Sequence, residues 1–361
     1  MLDRLIQAVS RVAYRHPVVP QDVPRPGEFG RLKIALVADY FTSASLAAQC
    51  RIRSLTPGNY RDVLRNWRPD LLFVESAFHG VGEEWRYKLA KQPKYIRLSK
   101  PRTMPRLVSL ARDRGIPAAF WNKDDGAFFK DFLDIARLFP FVFTTDNTCV
   151  PRYREALPRD SRAAVLAMPY QPAFHSFTGF AFENNEGCFV GSYYTKILNS
   201  RRRFLDMVFA ACDAARMPLH VFDRNSNRLS RLLEFRFPRH AQLRLHPQVP
   251  YEATASVYKR HAFSINVNSV TNSDTMCSRR LLEILACGGI LVTNASPAVS
   301  REFGEFCHVV ENAEQAAELF ARLRFGPTAE DRERAAAGAA HVRLQHTWQC
   351  RLEQLAEAMN F

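Results

Sequence analysis

The chain predicts an α/β architecture: two doubly wound, Rossmann-like domains facing across a cleft. Three observations predict it. Short apolar strand candidates alternate with amphipathic helix candidates. The alternation breaks once, over a Pro-, Phe-, Gly- and Asn-rich run near 170–186, and then restarts. At 361 residues the chain has room for two cores of ordinary size. Doubly wound sheets offer ligands the carboxyl ends of their strands, so polar residues just past each strand are the natural site candidates.

The elements follow in order. Residues 1–16 place Leu2, Leu5, Ile6, Val9, Val12 and Ala13 at helical spacing, with Arg4, Arg11, Arg15 and His16 between them. Such a helix suits an anionic membrane surface or packing on the protein body equally. Residues 17–30 are rich in Pro and Gly and read as a linker, so 1–30 is set apart as helix plus linker. A first domain over 31–170 has strands at 33–38, 71–75, 117–121, 141–145 and 163–167. Its helices fall at 43–54, 60–67, 106–114, 127–138 and 151–157. The near-continuous apolar strands imply a parallel sheet covered on both faces. A second domain over 186–340 has strands at 187–190, 219–222, 263–266 and 290–293, with helices at 200–214, 253–261, 278–287 and 313–324. The last helical stretch, 329–359, reads as broken, and 341–361 is a C-terminal helix.

Composition narrows the function classes. With 47% hydrophobic and 24% charged residues the chain is globular and soluble in type. It lacks a run of about 18 apolar residues, so no membrane-spanning helix is expected. Its first residues lack the apolar core and cleavage site of a secretory signal. The eight cysteines are scattered, with no Cys-x2-Cys pair and no metal spacing. A reduced cytoplasmic location follows, with no metal site. The net charge of +14 points to nucleic acid, anionic membrane or phosphorylated substrates as partners. Phe204, Phe209, Phe235 and Phe237 stand among arginines and could stack bases. They suit a core better, and no nucleic-acid motif accompanies them, so nucleic acid is not an expected partner.

The most pointed stretch is Ser278-Arg-Arg-Leu-Leu-Glu283-Ile-Leu-Ala-Cys-Gly-Gly289, running into Ile290-Leu-Val-Thr293. Leu281, Leu282, Ile284 and Leu285 give a short helix its apolar face, and Gly288 and Gly289 supply a left-handed exit. Arg279 and Glu283, four apart, share one exposed face. A carboxylate there can accept both hydroxyls of a ribose. The helix N-terminus, with Ser278, Arg279 and Arg280, can face a diphosphate. Together they suit a nucleotide-sugar donor, although the same spacing also makes ordinary surface ion pairs.

Other strand ends add candidates. Gly191 and Ser192 end the first strand of the second domain, and Gly191 lets a ligand approach the backbone. Lys196, Arg201, Arg202 and Arg203 follow, as phosphate ligands or as a solvated run. Asn266 and Asn268 could bond a base or phosphate, or serve turns. Asp274 could cap the helix carrying Glu283. In the first domain Glu75 and His79 follow one strand, and Asp124 and Asp125 another. They are candidates for a base on an acceptor hydroxyl or for stabilising charge at the sugar. Asp124 and Asp125 could instead cap a helix starting near 127.

Glu283-Ile-Leu-Ala-Cys-Gly-Gly-Ile-Leu-Val-Thr-Asn294 closely resembles the donor-site helix of glycosyltransferases with the GT-B fold, in particular the "group 1" families. Three first-domain runs extend the likeness: Glu75-Ser-Ala-Phe-His79-Gly, Phe120-Trp-Asn-Lys-Asp124-Asp125 and Val142-Phe-Thr-Thr-Asp146. So do Phe189-Val-Gly191-Ser, His346-Thr-Trp348 and Arg351. Together they are similar to the spore-maturation (CgeB-like) branch over roughly residues 65–355.

The resemblance implies metal-independent transfer of a sugar from a UDP-, GDP- or TDP-sugar to a hydroxyl of a glycan, glycolipid or similar acceptor. It implies no further cofactor, with Glu283 on the donor ribose. It places the protein in the cytoplasm, peripheral on the inner face of the membrane. Retention of anomeric configuration is also implied, with one departure. The retaining pattern has a second glutamate eight positions before Glu283, where this chain has Thr275. A nucleotide-sugar epimerase of the same plan and a non-enzymatic nucleotide or nucleic-acid binder are the rival readings.

Overall fold

The computed structural model describes residues 17–92, 102–228 and 234–361. The amphipathic stretch 1–16 lies outside them. The described chain forms two compact units. The first comprises Pro17–Gln171, Ser273–Met276 and His346–Phe361; the second comprises Pro172–Asn272 and Cys277–Gln345.

The first unit runs β1 (Lys33–Val37), α1 (Tyr40–Ala47), β2 (Arg51–Ser54), β3 (Leu71–Glu75), α2 (Thr103–Asp113), β4 (Ala118–Asn122), α3 (Phe129–Ala136), β5 (Phe141–Thr144), α4 (Cys149–Ala156) and β6 (Arg162–Val165). The strands form one parallel sheet in the order β2-β1-β3-β4-β5-β6. β3 and β4 are buried at every position, because helices cover both faces. Phe120, Phe132 and Phe139 pack together at no more than 1% exposure. Each contributes about 1.5–3 kcal/mol of burial.

The second unit runs β7 (Asn184–Gly191), α5 (Asn199–Ala214), β8 (Leu219–Asp223), β9 (Leu243–His246), α6 (Thr254–Arg260), β10 (His261–Ile265), α7 (Arg279–Ala286), β11 (Ile290–Thr293), β12 (Cys307–Val309), α8 (Ala313–Leu323) and α9 (Ala329–Gln345). Its parallel sheet has the order β12-β11-β10-β7-β8-β9. Read from β9, that is the 3-2-1-4-5-6 order of doubly wound nucleotide-binding sheets. The expected break in the last helix falls between α9 and α10 (Trp348–Met359), and α10 joins the first unit.

Several expectations are corrected. The helix expected over 43–54 stops at Ala47, and the chain then forms β2. β9 and β12 were not foreseen either. Only Gly288 exits α7 with a left-handed backbone (φ +71°). Gly289 is required for space instead: a Cβ there would stand 2.8 Å from Ile284 Cγ2. Asp124 and Asp125 do not cap α3, which begins at Phe129 behind Phe128. Asp274 does not cap α7. Ser278 holds the cap position, and the Asp274 carboxylate takes Asn147 Nδ2 at 3.1 Å within the first unit.

Candidate functional site

In the second unit the strand order reverses between β7 and β10, which makes their carboxyl ends the switch point. Gly191 closes β7 and Ser192 follows. A Cβ on Gly191 would stand 2.6 Å from the Phe189 ring and 2.8 Å from Arg280 Nη2. Glycine is therefore what lets the Arg280 guanidinium lie against the strand end. Arg280 Nε donates to Val190 O at 2.6 Å, and the group stacks 5.0 Å over Phe189. Its Nη1 is enclosed and, among the described residues, has no acceptor.

Arg201 corrects the expectation of a solvated arginine run. It is 7% exposed and locks two strand ends together, donating to Ser192 O at 3.2 Å and Val267 O at 3.1 Å. Among the described residues its Nε has no acceptor. Burial, with the like charge of Arg280, pulls its pKa down to about 9; burial also lowers that of Arg280. Arg224, exposed just past β8, adds a third positive charge to both and ties its own N–H to Gly191 O at 3.1 Å. The sequence candidates omitted Arg224 and Asn225, although the strand-end rule applied to 219–222 points at them. Arg202 bonds Thr195 O; Arg203 and Lys196 are exposed.

Asn266 and Asn268, offered as contacts for a base or phosphate, are engaged inside the unit. Both are buried and spent on one another, on Thr293 Oγ1, and on Ser278. Ser278 N–H donates to Asn268 Oδ1 at 2.9 Å, and Ser278 Oγ donates to Asn266 Oδ1 at 2.7 Å. The pair thus pins the N-terminus of α7.

Glu283 departs from expectation as well. It lies on the buried side of α7, 4% exposed, with Arg279 Nε 2.8 Å from Oε1. The N–H direction misses hydrogen-bond geometry, leaving Oε1 ion-paired but, among the described residues, without a hydrogen bond. Arg279 also lies 5.2 Å over the Tyr251 ring.

In the first unit the sheet reverses at β1 and β3. Glu75, the last residue of β3, is 0% exposed. It accepts from Thr42 Oγ1 at 2.6 Å and Asp39 N at 2.5 Å, and pairs with Lys123 Nζ at 2.8 Å. Lys123 also reaches Asp39 Oδ2 at 3.2 Å. Neither Lys123 nor Asp39 was a sequence candidate. Burial opposes the Lys123 charge, but Glu75 and Asp39 outweigh it and raise its pKa. Both Glu75 carboxylate oxygens are thereby engaged by groups of its own unit. Its carboxyl is raised by burial, against the pull of Lys123.

Asp124 is only partly covered, accepting from Ser76 Oγ at 2.8 Å. Burial, opposed by Lys123, pushes its pKa up to about 6. Asp125 is fully enclosed, accepting from Asn122 Nδ2 at 2.7 Å and Tyr153 OH at 3.2 Å, and burial takes it to about 7. It is a core group, not a surface base. His79 stays partly exposed, with Nδ1 3.8 Å from Glu83 Oε1. Thr275 lies in the first unit, donating to Thr145 O at 2.8 Å and accepting from Asn147 N at 2.9 Å.

Residues 201–357 match the model of a family described as glycosyl transferase-like. No curated protein matches the chain. Among solved structures, sucrose-phosphate synthase from Thermosynechococcus elongatus superposes with a TM-score of 0.53 at 10% identity, over 91% of this chain and 98% of that one. HepE of Anabaena, in complex with UDP and glucose, gives 0.55 at 9% identity over 91% and 100%. A DNA-modifying beta-glucosyltransferase, solved with and without uridine diphosphoglucose, gives 0.57 at 8% over 92% and 100%. At such identities the likeness speaks for the fold alone, and that fold is GT-B. The glycosyl transferase-like match thus falls on the second unit and the C-terminal helix of a chain whose fold is GT-B.

Proposed function

We propose that the protein transfers a sugar from a nucleotide diphosphate donor to a hydroxyl of a glycan, glycolipid or similar acceptor. The observation that carries this reading is the arginine cluster at the end of β7. Arg201 is buried, with Arg280 half-buried beside it; among the described residues each has an enclosed N–H without an acceptor, and Arg224 adds a third charge. Glu283 offsets part of the Arg280 charge, and crowded, desolvated guanidinium groups are costly unless a further anion completes them. A diphosphate has the charge and the oxygens to do so, and two of the solved relatives are described with UDP or a UDP-sugar.

The division of labour follows. Arg280, Ser192 and the N-terminus of α7 receive the diphosphate, and their positive charge offsets the leaving group without a divalent ion. Glu283 accepts the ribose hydroxyls through Oε2 while Arg279 keeps Oε1. In either stereochemical course the acceptor hydroxyl must lose its proton. Asp124, with its pKa near 6, is the group of the first unit matched to that task, with His79 beside the same sheet end. Activity should then fall as pH drops through about 6. Retention of configuration and the spore-maturation branch remain part of the reading through the family resemblance. So does a cytoplasmic site of action at an anionic membrane face. Among the described residues no helix is long and apolar enough to cross a membrane.

A thermal-shift panel of UDP, GDP, TDP and CMP compounds on wild type and Glu283→Ala tests the site. One nucleoside diphosphate near 100 Kd should stabilise wild type by about 2.7 kcal/mol and the variant by far less. A panel that shifts neither protein would defeat the donor reading. Activity should survive EDTA; its loss would contradict neutralisation by arginine alone.

A further inference from the structure

Ser192 was a donor-site candidate from sequence; what aims its hydroxyl was not visible there. β8 ends at Asp223, and the chain turns at once. Asp223 Oδ1 accepts the backbone N–H of Asn225 at 2.8 Å, which fixes the turn. Asn225 is 4% exposed, and its Nδ2 donates to Ser192 Oγ at 2.8 Å. An amide nitrogen only donates, so Ser192 Oγ is the acceptor in this bond. The single Ser192 proton must therefore point elsewhere. Ser192 is 3% exposed, and among the described residues its Oγ makes this one bond. Its carbonyl is held by Arg201 Nη2 at 3.2 Å, so the residue has little freedom to turn away. The hydroxyl thus has a lone pair satisfied from behind and a proton unspent, beside Gly191 and the three arginines.

We propose that Asn225 is a positioning residue of the donor site: it holds Ser192 as an acceptor so that the Ser192 O–H is presented to a phosphate oxygen of the bound nucleotide. The inference rests on the donor reading above. Asn225 itself touches no ligand; it acts through Ser192. Without its amide the hydroxyl would rotate among several directions and pay an ordering cost on each binding event.

The test is calorimetric titration with two probes, inorganic pyrophosphate and UDP, on wild type, Ser192→Ala, Asn225→Ala and the double variant. Pyrophosphate carries the diphosphate without a base, and UDP checks the complete site. Each single substitution should weaken both probes about three- to tenfold, and the double variant should be no weaker than the worse single. Asn225→Asp keeps the shape of the turn but loses the N–H. Repeating it in the Ser192→Ala background separates its added charge from the lost hydrogen bond, and the loss in wild type should exceed that in the Ser192→Ala protein. Folding is checked by the unbound melting temperature.

Wild-type binding of UDP with Asn225→Ala equal to wild type would overturn the positioning role and leave the donor site standing. So would effects of the two residues that simply multiply. A wild-type protein that binds neither probe would overturn the donor reading, and this inference with it.

Discussion

Asp125 shows how burial decides what one carboxylate can do. From sequence it stood beside Asp124 as an equal, one position along the same loop. The structure leaves Asp124 partly open and encloses Asp125 against Asn122 and Tyr153. A carboxyl raised to about 7 in the fold but near 3.8 when unfolded is taken up preferentially as the acid. Its stabilising contribution is complete below pH 3.8 and disappears as pH rises through 7. Asp125→Asn should therefore raise stability by about 1–3 kcal/mol at pH 8 and change little at pH 4, read from denaturant melts. Equal effects at both pH values would mean that Asp125 ionises freely in the fold. Glu283 and Arg201 teach the same lesson. Their identities and spacing were legible, and their burial was not: Glu283 sits on an eight-residue helix and Arg201 in the first turn of a sixteen-residue one, and neither pattern announces which face its neighbours cover.

At the level of elements, the central strands were readable and most of the edges were not. β3 and β4 are apolar throughout because both faces are covered, and such runs stand out in sequence. The three strands that went unforeseen, β2, β9 and β12, are all sheet edges. An edge strand buries fewer positions and tolerates Arg51-Ile-Arg-Ser or Leu243-Arg-Leu-His, which carry almost no apolar signal. The start of α9 was readable as helix, yet its anchor was hidden. Asp331, 4% exposed, accepts both Arg322 Nη1 at 2.6 Å and Nη2 at 3.0 Å, Thr328 N at 2.8 Å, and His308 Nε2 at 2.8 Å. One carboxylate thus joins α8, α9 and β12. Asp331→Ala strands all these donors and should cost about 3 kcal/mol. That is the lower end for a broken buried pair, because the Arg322 side chain is 40% exposed. Chemical denaturation measures it; a loss under 1 kcal/mol would show that water replaces the carboxylate easily.

Across the whole molecule, the strand-end rule picked out Gly191 and Ser192 and passed over Arg224 and Asn225 one strand over. It offered Asn266 and Asn268 as ligands, and they brace α7. The two units also titrate in opposite senses. In the first, Asp124 and Asp125 are raised by burial to about 6 and about 7, so folding favours their acid forms, and that stability is lost as pH climbs from 4 toward 7. In the second, His175, His246, His261 and His308 are all lowered, burial being the leading cause. His246 and His261 are further lowered by His220, whose Nε2 lies 2.5 Å from Glu186 Oε2 and whose Nδ1 lies 2.8 Å from His246 Nε2. A histidine lowered in the fold contributes stability above pH 6.5 and loses it as pH falls, because the unfolded chain then binds the proton more tightly. Scanning calorimetry should accordingly find the first unit melting higher at pH 5 than at pH 8, and the second the reverse. The second-unit transition is identified as the one that the stabilising nucleotide shifts. Both transitions moving together with pH would show that groups other than these six govern stability, and that burial is a poor guide to charge in at least one of the two cores.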